Sequence, residues 1–301
     1  MRYAVTGSTG LIGSALVRSL RRDGHEVLRL VRRPPGRPDE AAWDPYAGTV
    51  DTARLDGVEA VVHLAGAGVG DHRWTGEYKQ QIHDSRVLGT RAIAQAVTRL
   101  DPLPAILISA SAIGYYGPSD GRALDEDSAA GTGFLAETVV AWEAAADAAR
   151  AAGVRVAHPR SGLVVATHGG AWARLFPLFR LGVGGRLGSG QQYWSFISLR
   201  DEVRALRFLL DTPDTAGAFN LTAPSPATNN EVTRAMAQVL RRPAILPVPA
   251  AALKLALGEF SHEVLGSQRV LPRRLTEAGF SFLDPTIHEA IRAALDPSSA
   301  T

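Results

Sequence analysis

The 301-residue chain contains no cysteine. That absence excludes a disulfide framework, a thiol nucleophile, cysteine-ligated zinc and iron–sulfur chemistry together. Lysine is almost as scarce: of the 32 basic residues only Lys79 and Lys254 are lysine. Any mechanism that needs a lysine therefore has two candidates. No stretch approaches the ~18 uninterrupted apolar residues of a membrane-spanning helix. The apolar run before Gly7 is also too short for a signal-peptide core, so the expected location is the cytoplasm. The 8 histidines form no HxxxH or similar pair with a carboxylate at ligand spacing, and His63 sits in an apolar run as a packed residue would. No metal is expected. A dominant charge is lacking too: 32 basic against 30 acidic side chains leaves a formal +2, which calls for neither a nucleic-acid nor a membrane partner.

What remains is an ordinary globular composition, 46% hydrophobic and 21% charged, at a length suited to one large α/β domain or a domain with an appendage. Near-continuous apolar runs at 3–6, 26–31, 60–64, 105–109 and 154–158 read as strands buried on both faces of a parallel sheet. Helical patterns lie between them, at 11–24, at 82–100 with Val87, Ile93, Ala94 and Val97, and at 134–152. This alternation predicts a doubly wound α/β sheet with right-handed crossovers. Past Pro159 the character changes: a glycine-rich stretch at 182–190 precedes an aromatic run at 193–197, and prolines cluster at 243, 247 and 249. The expected organisation is a cofactor-binding core at 1–160, a mixed core and substrate-side region at 161–249, and a helical C-terminal region at 250–301.

Gly7, Gly10 and Gly13 fall between the first strand and the first helix, the context that turns a glycine repeat into a dinucleotide site. Gly7 permits the tight turn, Gly10 lets backbone amides approach a pyrophosphate, and Gly13 allows close helix–strand packing. Ser8, Thr9, Leu11 and Ile12 complete that loop. An NAD site usually places an acidic residue at the tip of the second strand to bond the ribose 2′-hydroxyl. Here the tip reads Arg32-Arg33, two guanidiniums suited to a 2′-phosphate, so NADP is expected over NAD.

The stretches 6–13, 62–67, and 108–111 leading to Tyr115-Tyr116-Gly117 resemble the extended short-chain dehydrogenase/reductase superfamily. More narrowly the chain is similar to its atypical "epimerase family protein" branch, related to nucleoside-diphosphate-sugar epimerases. That likeness rests on Arg73-Trp74-Thr75, Ser85-Arg86 with Gly89-Thr90, Gly114 to Gly117, Phe134-Leu135-Ala136-Glu137 with Trp142-Glu143, Gly184-Gly185 with Gly188-Ser189-Gly190-Gln191, and the segment 220–224 running into the tail at 247–295. The resemblance implies a Rossmann-type sheet with a smaller C-terminal substrate-side region. It also implies cofactor roles for the glycine loop, for Arg32 and Arg33 near the 2′-phosphate, and for Leu64, Ala65, Gly66 and Ala67 along the riboses. Ser109 and Ala110 join that set, Pro159, Arg160 and Gly162 would line the nicotinamide, and Ser111 would stand beside the reacting carbon.

One expected piece is missing. The superfamily's proton relay is a tyrosine with a lysine four residues later, the lysine lowering the phenol's pKa. Lys79 and Lys254 would require tyrosines at 75 and 250, and those positions hold Thr75 and Ala250. Matching Glu143 to the acidic residue that follows the pair puts Leu135 and Val139 in the two slots.

Ser111, Tyr115 and Tyr116 are therefore the candidate catalytic residues: the serine to orient a substrate oxygen, either phenol to replace the missing tyrosine or to form an aromatic wall. Arg73, Lys79 and Arg86 form a basic set that could hold an anionic substrate or supply the cation. Glu137 could act as a carboxylate acid/base, although a helix-dipole position explains it equally. Arg180, Arg186 and Gln191 flank the glycine-rich loop, which the resemblance places near a nucleotide diphosphate. The expected function is an NADP-dependent oxidoreductase or epimerase acting on a small polar substrate, a nucleotide-linked one included. Reduction of an activated double bond or imine is a variant of it. A catalytically silent NADP(H)-binding sensor or scaffold is the alternative. A homodimer through the helices at 82–100 and 134–152 is one expected assembly; packing of the alanine-rich face inside the monomer is the other.

Overall fold

The computed structural model describes residues 1–296, so the last five residues of the expected C-terminal region lie outside the described residues. Seven parallel strands form the core of one sheet: β1 (Arg2–Thr6), β2 (Glu26–Val31), β3 (Glu40–Asp44), β5 (Ala60–His63), β6 (Ile106–Ser109), β9 (Arg155–Ser161) and β13 (Gly217–Leu221). Their order across the sheet is β13-β9-β6-β5-β1-β2-β3. The short β4 (Thr49–Val50) pairs antiparallel with β3, and β7 (Ser111–Ala112) continues β6 alongside β9. β1 lies between β2 and β5 and is in contact with neighbours along its whole length, which is why its side chains from Ala4 onward are buried. Strand order reverses at β1, so the crevice outside its carboxyl end, where ligands bind in such sheets, falls at the Gly7 turn.

One face is covered by α1 (Leu11–Arg22) and α6 (Leu199–Asp211), whose Leu16, Leu20, Leu206 and Leu209 meet Val5, Val62 and Ile108 of the sheet. Leu275 and Phe280, from far down the chain, complete this same core. The other face is covered by α2 (Gly76–Val97), α3 (Phe134–Ala144) and α4 (Asp147–Ala151). The helix expected at 134–152 is divided between α3 and α4, and its Ala146 and Ala149 are fully buried against Leu28, Val61 and Leu107 inside the monomer. A second core gathers Trp172, Phe176 and Phe179 of α5 (Trp172–Arg180), Trp194, Phe196, Met236 of α7 (Asn229–Leu240) and Ile291 of α11 (Ile287–Leu295).

Helix starts follow local chemistry. Thr75 caps α2 by accepting from the Tyr78 amide, Ser198 caps α6, and Thr228–Glu231 and Thr286–Glu289 form capping boxes at α7 and α11. No helix among the described residues is long and apolar enough to cross a membrane.

Candidate functional site

β1 ends in Thr6, and the chain turns at Gly7 with a φ of 64°. A Cβ at Gly7 would stand 2.8 Å from the Leu64 carbonyl carbon, and one at Gly13 would stand 2.2 Å from the Gly7 oxygen. Only glycine fits either place. The Thr6 hydroxyl locks the turn to the neighbouring strand end: it accepts from the Leu64 and Ala65 amides at 3.1 and 3.2 Å and shares a 2.7 Å bond with His63 Nδ1. Burial drives that imidazole down to about 3, so it stays neutral. Gly10 precedes α1 with no side-chain cap, and the helix has no acidic residue in its first turn. Open amides, a positive dipole end and a bare glycine surface fit a pyrophosphate. Ser8 is buried in the loop, Thr9 and Gly10 are exposed, Ile12 packs on the core, and Leu11 packs against Gly169 and Gly170.

At the tip of β2 the two arginines divide. Arg33 donates from both terminal nitrogens to Glu40 at 2.9 and 2.7 Å, and Gly36 adds an amide at 2.9 Å. The Arg33 bonds lead in holding the Glu40 carboxyl down to about 2, with the Gly36 amide second and Arg29 assisting. Arg32 is exposed and makes no ion pair or hydrogen bond among the described residues. The pair thus presents one uncommitted guanidinium just past the end of β2. Glu40, unremarked in the sequence, is what holds the Arg33–Gly36 turn in place.

Beyond β5 the segment Leu64, Ala65, Gly66 and Ala67 runs across the same strand ends. Ser85 accepts from the Ala67 amide at 3.1 Å, and Arg86 donates to the Ala67 carbonyl at 2.9 Å and to Ile82 at 3.1 Å, under Gly66 and over the Trp142 ring. Burial pushes Arg86 down to about 10. The structure therefore uses Arg86 to fix this segment. Ser109 is fully buried within the sheet, while Ala110 donates its amide to His63 at 3.0 Å and leads the chain out to Ser111.

Ser111, Tyr116 and Arg160 converge on Glu143 of α3. The Ser111 hydroxyl donates to Glu143 Oε1 at 2.6 Å. Arg160, buried on β9, donates to both carboxylate oxygens at 2.8 and 2.9 Å and to the Tyr116 phenol oxygen at 3.0 Å. Tyr116 in turn donates to Asn220 Oδ1 of β13 at 2.7 Å. Burial would raise Glu143, but the Arg160 bonds and charge outweigh it and hold the carboxyl below its ordinary range. Tyr116 is pushed up to about 12 by burial, against the pull of Arg160. Its proton is thus firmly held. The half-buried Tyr115 lies with its ring centroid 3.4 Å from the Arg160 guanidinium carbon. Pro159 and Gly162 flank this network on β9 and just after it; a Cβ at Gly162 would meet the Ser195 carbonyl at 2.7 Å.

Leu135 and Val139, the residues expected in the relay slots, face Gly114 at 3.6 and 3.8 Å from where its Cβ would be. Glu137 lies on the exposed face of α3 and does not join them. Lys79 pairs with Glu259 at 2.8 Å and lies over Phe134, and exposed Arg73 packs beside Gly258. Arg186 folds back onto the Gly188 and Ser189 carbonyls at 3.2 and 3.0 Å, Gln191 donates its amide to Ser189, and Arg180 lies over Phe176. Among the described residues no group of three or more histidine, aspartate or glutamate side chains could hold a metal ion.

On the α6 side, Glu202 is fully buried, accepts from Ser161 at 2.5 Å, and is pushed up to about 7 by burial. The sequence reading missed it, although Glu202 falls on the buried stripe of Leu199, Val203 and Leu206, a helical position where a carboxylate is conspicuous.

A model of the "NAD dependent epimerase/dehydratase family" matches residues 3–222, and one of a "domain of unknown function" matches 248–294. An epimerase family protein of Mycobacterium tuberculosis is 47% identical over 96% of this chain and 95% of its own length. The crystal structure of human epimerase family protein SDR39U1 with NADPH superposes with a TM-score of 0.90 at 33% identity, covering 98% of this chain and 100% of that one. A nucleoside-diphosphate sugar epimerase from Corynebacterium glutamicum gives 0.80 at 34%, covering 97% of this chain and 57% of that one. With its Gly7–Gly13 turn at the switch of strand order, this chain belongs to the NAD-dependent epimerase/dehydratase family, in the extended short-chain dehydrogenase/reductase superfamily.

Proposed function

We propose that the protein binds NADPH and transfers hydride to or from a small polar substrate, with oxidoreductase and epimerase chemistry both open to the same site. The observation that carries the reading is the cradle at Gly7 and Gly13, filled by any Cβ, with the unpaired Arg32 at the neighbouring strand tip. A nicotinamide, when bound, supplies the hydride; the residues bind, orient and handle the proton. In this reading the glycine loop and α1 hold the pyrophosphate, Arg32 meets the 2′-phosphate, and Leu64 to Ala67, Ser109 and Ala110 follow the riboses. Pro159, Arg160 and Gly162 back the nicotinamide. Ser111, Glu143, Arg160 and Tyr116 form a rigid frame, with the Ser111 proton directed at Glu143, and Tyr115 forms the wall nearest that frame. Arg73, Lys79, Arg186 and Gln191 line the approach on the C-terminal side, where a substrate carrying phosphate or carboxylate finds positive charge. The same reading places the protein in the cytoplasm, with a homodimer through the outer faces of α2 and α3 as one assembly.

The sensor alternative is favoured by the network itself, since Ser111 and Tyr116 are engaged within the protein. One experiment separates the two. NADPH deuterated at the transferable position is incubated with the protein and a small-metabolite extract, with Ser111→Ala alongside, and mass spectrometry searches for label. Product labelling by the intact protein is the expected result. Tight NADPH binding without label in any metabolite removes net redox chemistry in favour of the sensor, or of an epimerase that returns its hydride to the same carbon.

A further inference from the structure

The residues expected in the relay slots of α3, Leu135 and Val139, are apolar, and the opposite side of β9 holds a buried acid. Glu202 is fully buried; its Oε1 accepts the Ser161 hydroxyl at 2.5 Å, and its Oε2 is buried with no hydrogen-bond partner among the described residues. A buried carboxyl oxygen without a donor is expected on a neutral acid and is unfavourable on an anion. Ser161 is the last residue of β9. It is half-buried, stands opposite Ala112 of β7 on one side and Leu221 of β13 on the other, and so lies at the carboxyl edge of the sheet, where ligands bind. A carboxylic acid therefore sits one hydroxyl behind the proposed site.

Among the described residues no charged group competes for this acid: Arg155 of β9, on the α6 side, donates to the Leu209 and Leu210 carbonyls instead. On its own helix Arg200 pairs with Asp284, and Arg204 with Asp201, which also caps the Leu283 and Asp284 amides. On β9 Arg160 projects to the other face and pairs with Glu143. α1 brings no titratable side chain between Leu11 and Val17, and neither β10 (Leu163–Val165) nor β12 (Phe196–Ser198) carries one. On α11, packed against α6, His288 bonds Gln238 and Glu289 caps Thr286. Burial, opposed only by the Ser161 bond, raises Glu202 to about 7.

We propose that Glu202 is the proton reserve of the reaction and acts through Ser161, which would touch the substrate oxygen. The proposal rests on the hydride-transfer reading above. As a substrate carbonyl carbon accepts the hydride and its electron pair, the Ser161 hydroxyl turns from Glu202 to the substrate and gives the oxygen its proton, and the neutral Glu202 in turn donates its own proton to Ser161. The C=O bond becomes CH–OH, the nicotinamide is oxidised, and Glu202 is left as a carboxylate that regains its proton from water. Oxidation runs the same path backwards. In this scheme Glu202 is a positioning residue and Ser161 the group in contact.

The first test needs no turnover. Protein labelled with carbon-13 at the glutamate carboxyl is titrated by NMR, with Glu202→Gln for assignment and Ser161→Ala to remove the hydrogen bond. One resonance should titrate near pH 7, be absent in Glu202→Gln, and move to higher pH in Ser161→Ala; a Glu202 that titrates in the ordinary carboxylate range overturns the proposal. The second test follows deuteride transfer to the metabolite extract against pH. Reduction by the intact protein should fall about tenfold per pH unit above 7, and Glu202→Gln should be at least tenfold slower with that limb gone. Transfer that Glu202→Gln leaves unchanged in rate and pH limb overturns the proton reserve alone. Tight NADPH binding, read by its fluorescence, with no transfer by the intact protein at any pH overturns net reduction and the proton reserve with it, and leaves the sensor or an epimerase that returns its hydride.

Discussion

Replacing Glu143 by Gln removes the one negative charge that faces Arg160. The carboxylate accepts three hydrogen bonds, at 2.8 and 2.9 Å from the guanidinium and 2.6 Å from Ser111, and Arg160 is only 4% exposed. A glutamine amide returns one acceptor and turns a second donor toward the guanidinium, leaving a buried cation uncompensated. Breaking such a pair from one side costs about 3–5 kcal/mol. For a chain of this size that corresponds to a melting temperature lower by roughly 5–8 °C. Removing both charges with Glu143→Leu and Arg160→Met should restore most of the loss, because the desolvated charge is gone. Denaturant titrations of the intact protein, Glu143→Leu, Arg160→Met and the pair measure this as a double-mutant cycle, with Glu143→Gln alongside. The pH dependence has a fixed sign. Glu143 is held below its ordinary value of 4.5, so its contribution is present above that value and is lost as pH falls. A single-variant cost under about 1 kcal/mol, the range of exposed pairs, would refute the reasoning.

Arg32→Ala should weaken NADPH by roughly 10–100-fold, the worth of a charged hydrogen bond of about 1.5–3 kcal/mol, and leave NADH nearly unchanged; equal weakening in a fluorescence titration would remove the 2′-phosphate role. Gly13→Ala places a Cβ 2.2 Å from the Gly7 oxygen, so cofactor binding should be abolished and stability lowered, read by calorimetry with and without NADPH. His63, held down to about 3 from 6.5 by burial, makes the folded state bind fewer protons than the unfolded one between those values. Stability should therefore fall as pH falls through that window by up to roughly 5 kcal/mol, and His63→Gln should flatten this limb. Glu202, raised from 4.5 to about 7, has the opposite sign: stability should decline by about 3 kcal/mol as pH rises through that interval, a slope that Glu202→Gln should remove.

The features readable from sequence are those whose signals are local. The glycine turn, β1, β2 and β5 follow from spacing and apolar runs within a few residues, as does the Arg32-Arg33 tip. β3 was not recognised, because its Glu40 and Asp44 ends look like a loop; Glu40 is buried only because Arg29 and Arg33 reach it. The division of labour between Arg32 and Arg33 depends on that same carboxylate. β13 and α6, which fall within the stretch expected to mix core and substrate-side structure, are integral to the sheet and its cover. Within the site, Ser111 was visible as a strand-end serine, but its partner Glu143 is 32 residues away, and Ser161 and Glu202 are 41 apart. Buried carboxylates acquire meaning only when the fold sets them against a partner, and sequence spacing does not encode that distance.

The tail beyond the family match also closes the main core. Leu275 and Phe280 pack with Leu206 and Leu209, Asn220 donates to the Leu271 carbonyl at 3.0 Å, and Arg274 donates to the Ala216 and Ala218 carbonyls of the segment that ends the sheet. Two stretches that sequence families treat as separable modules therefore share one core. Heating should melt them in a single calorimetric transition, and a chain cut at residue 248 would leave its last sheet edge uncapped and its apolar face in water.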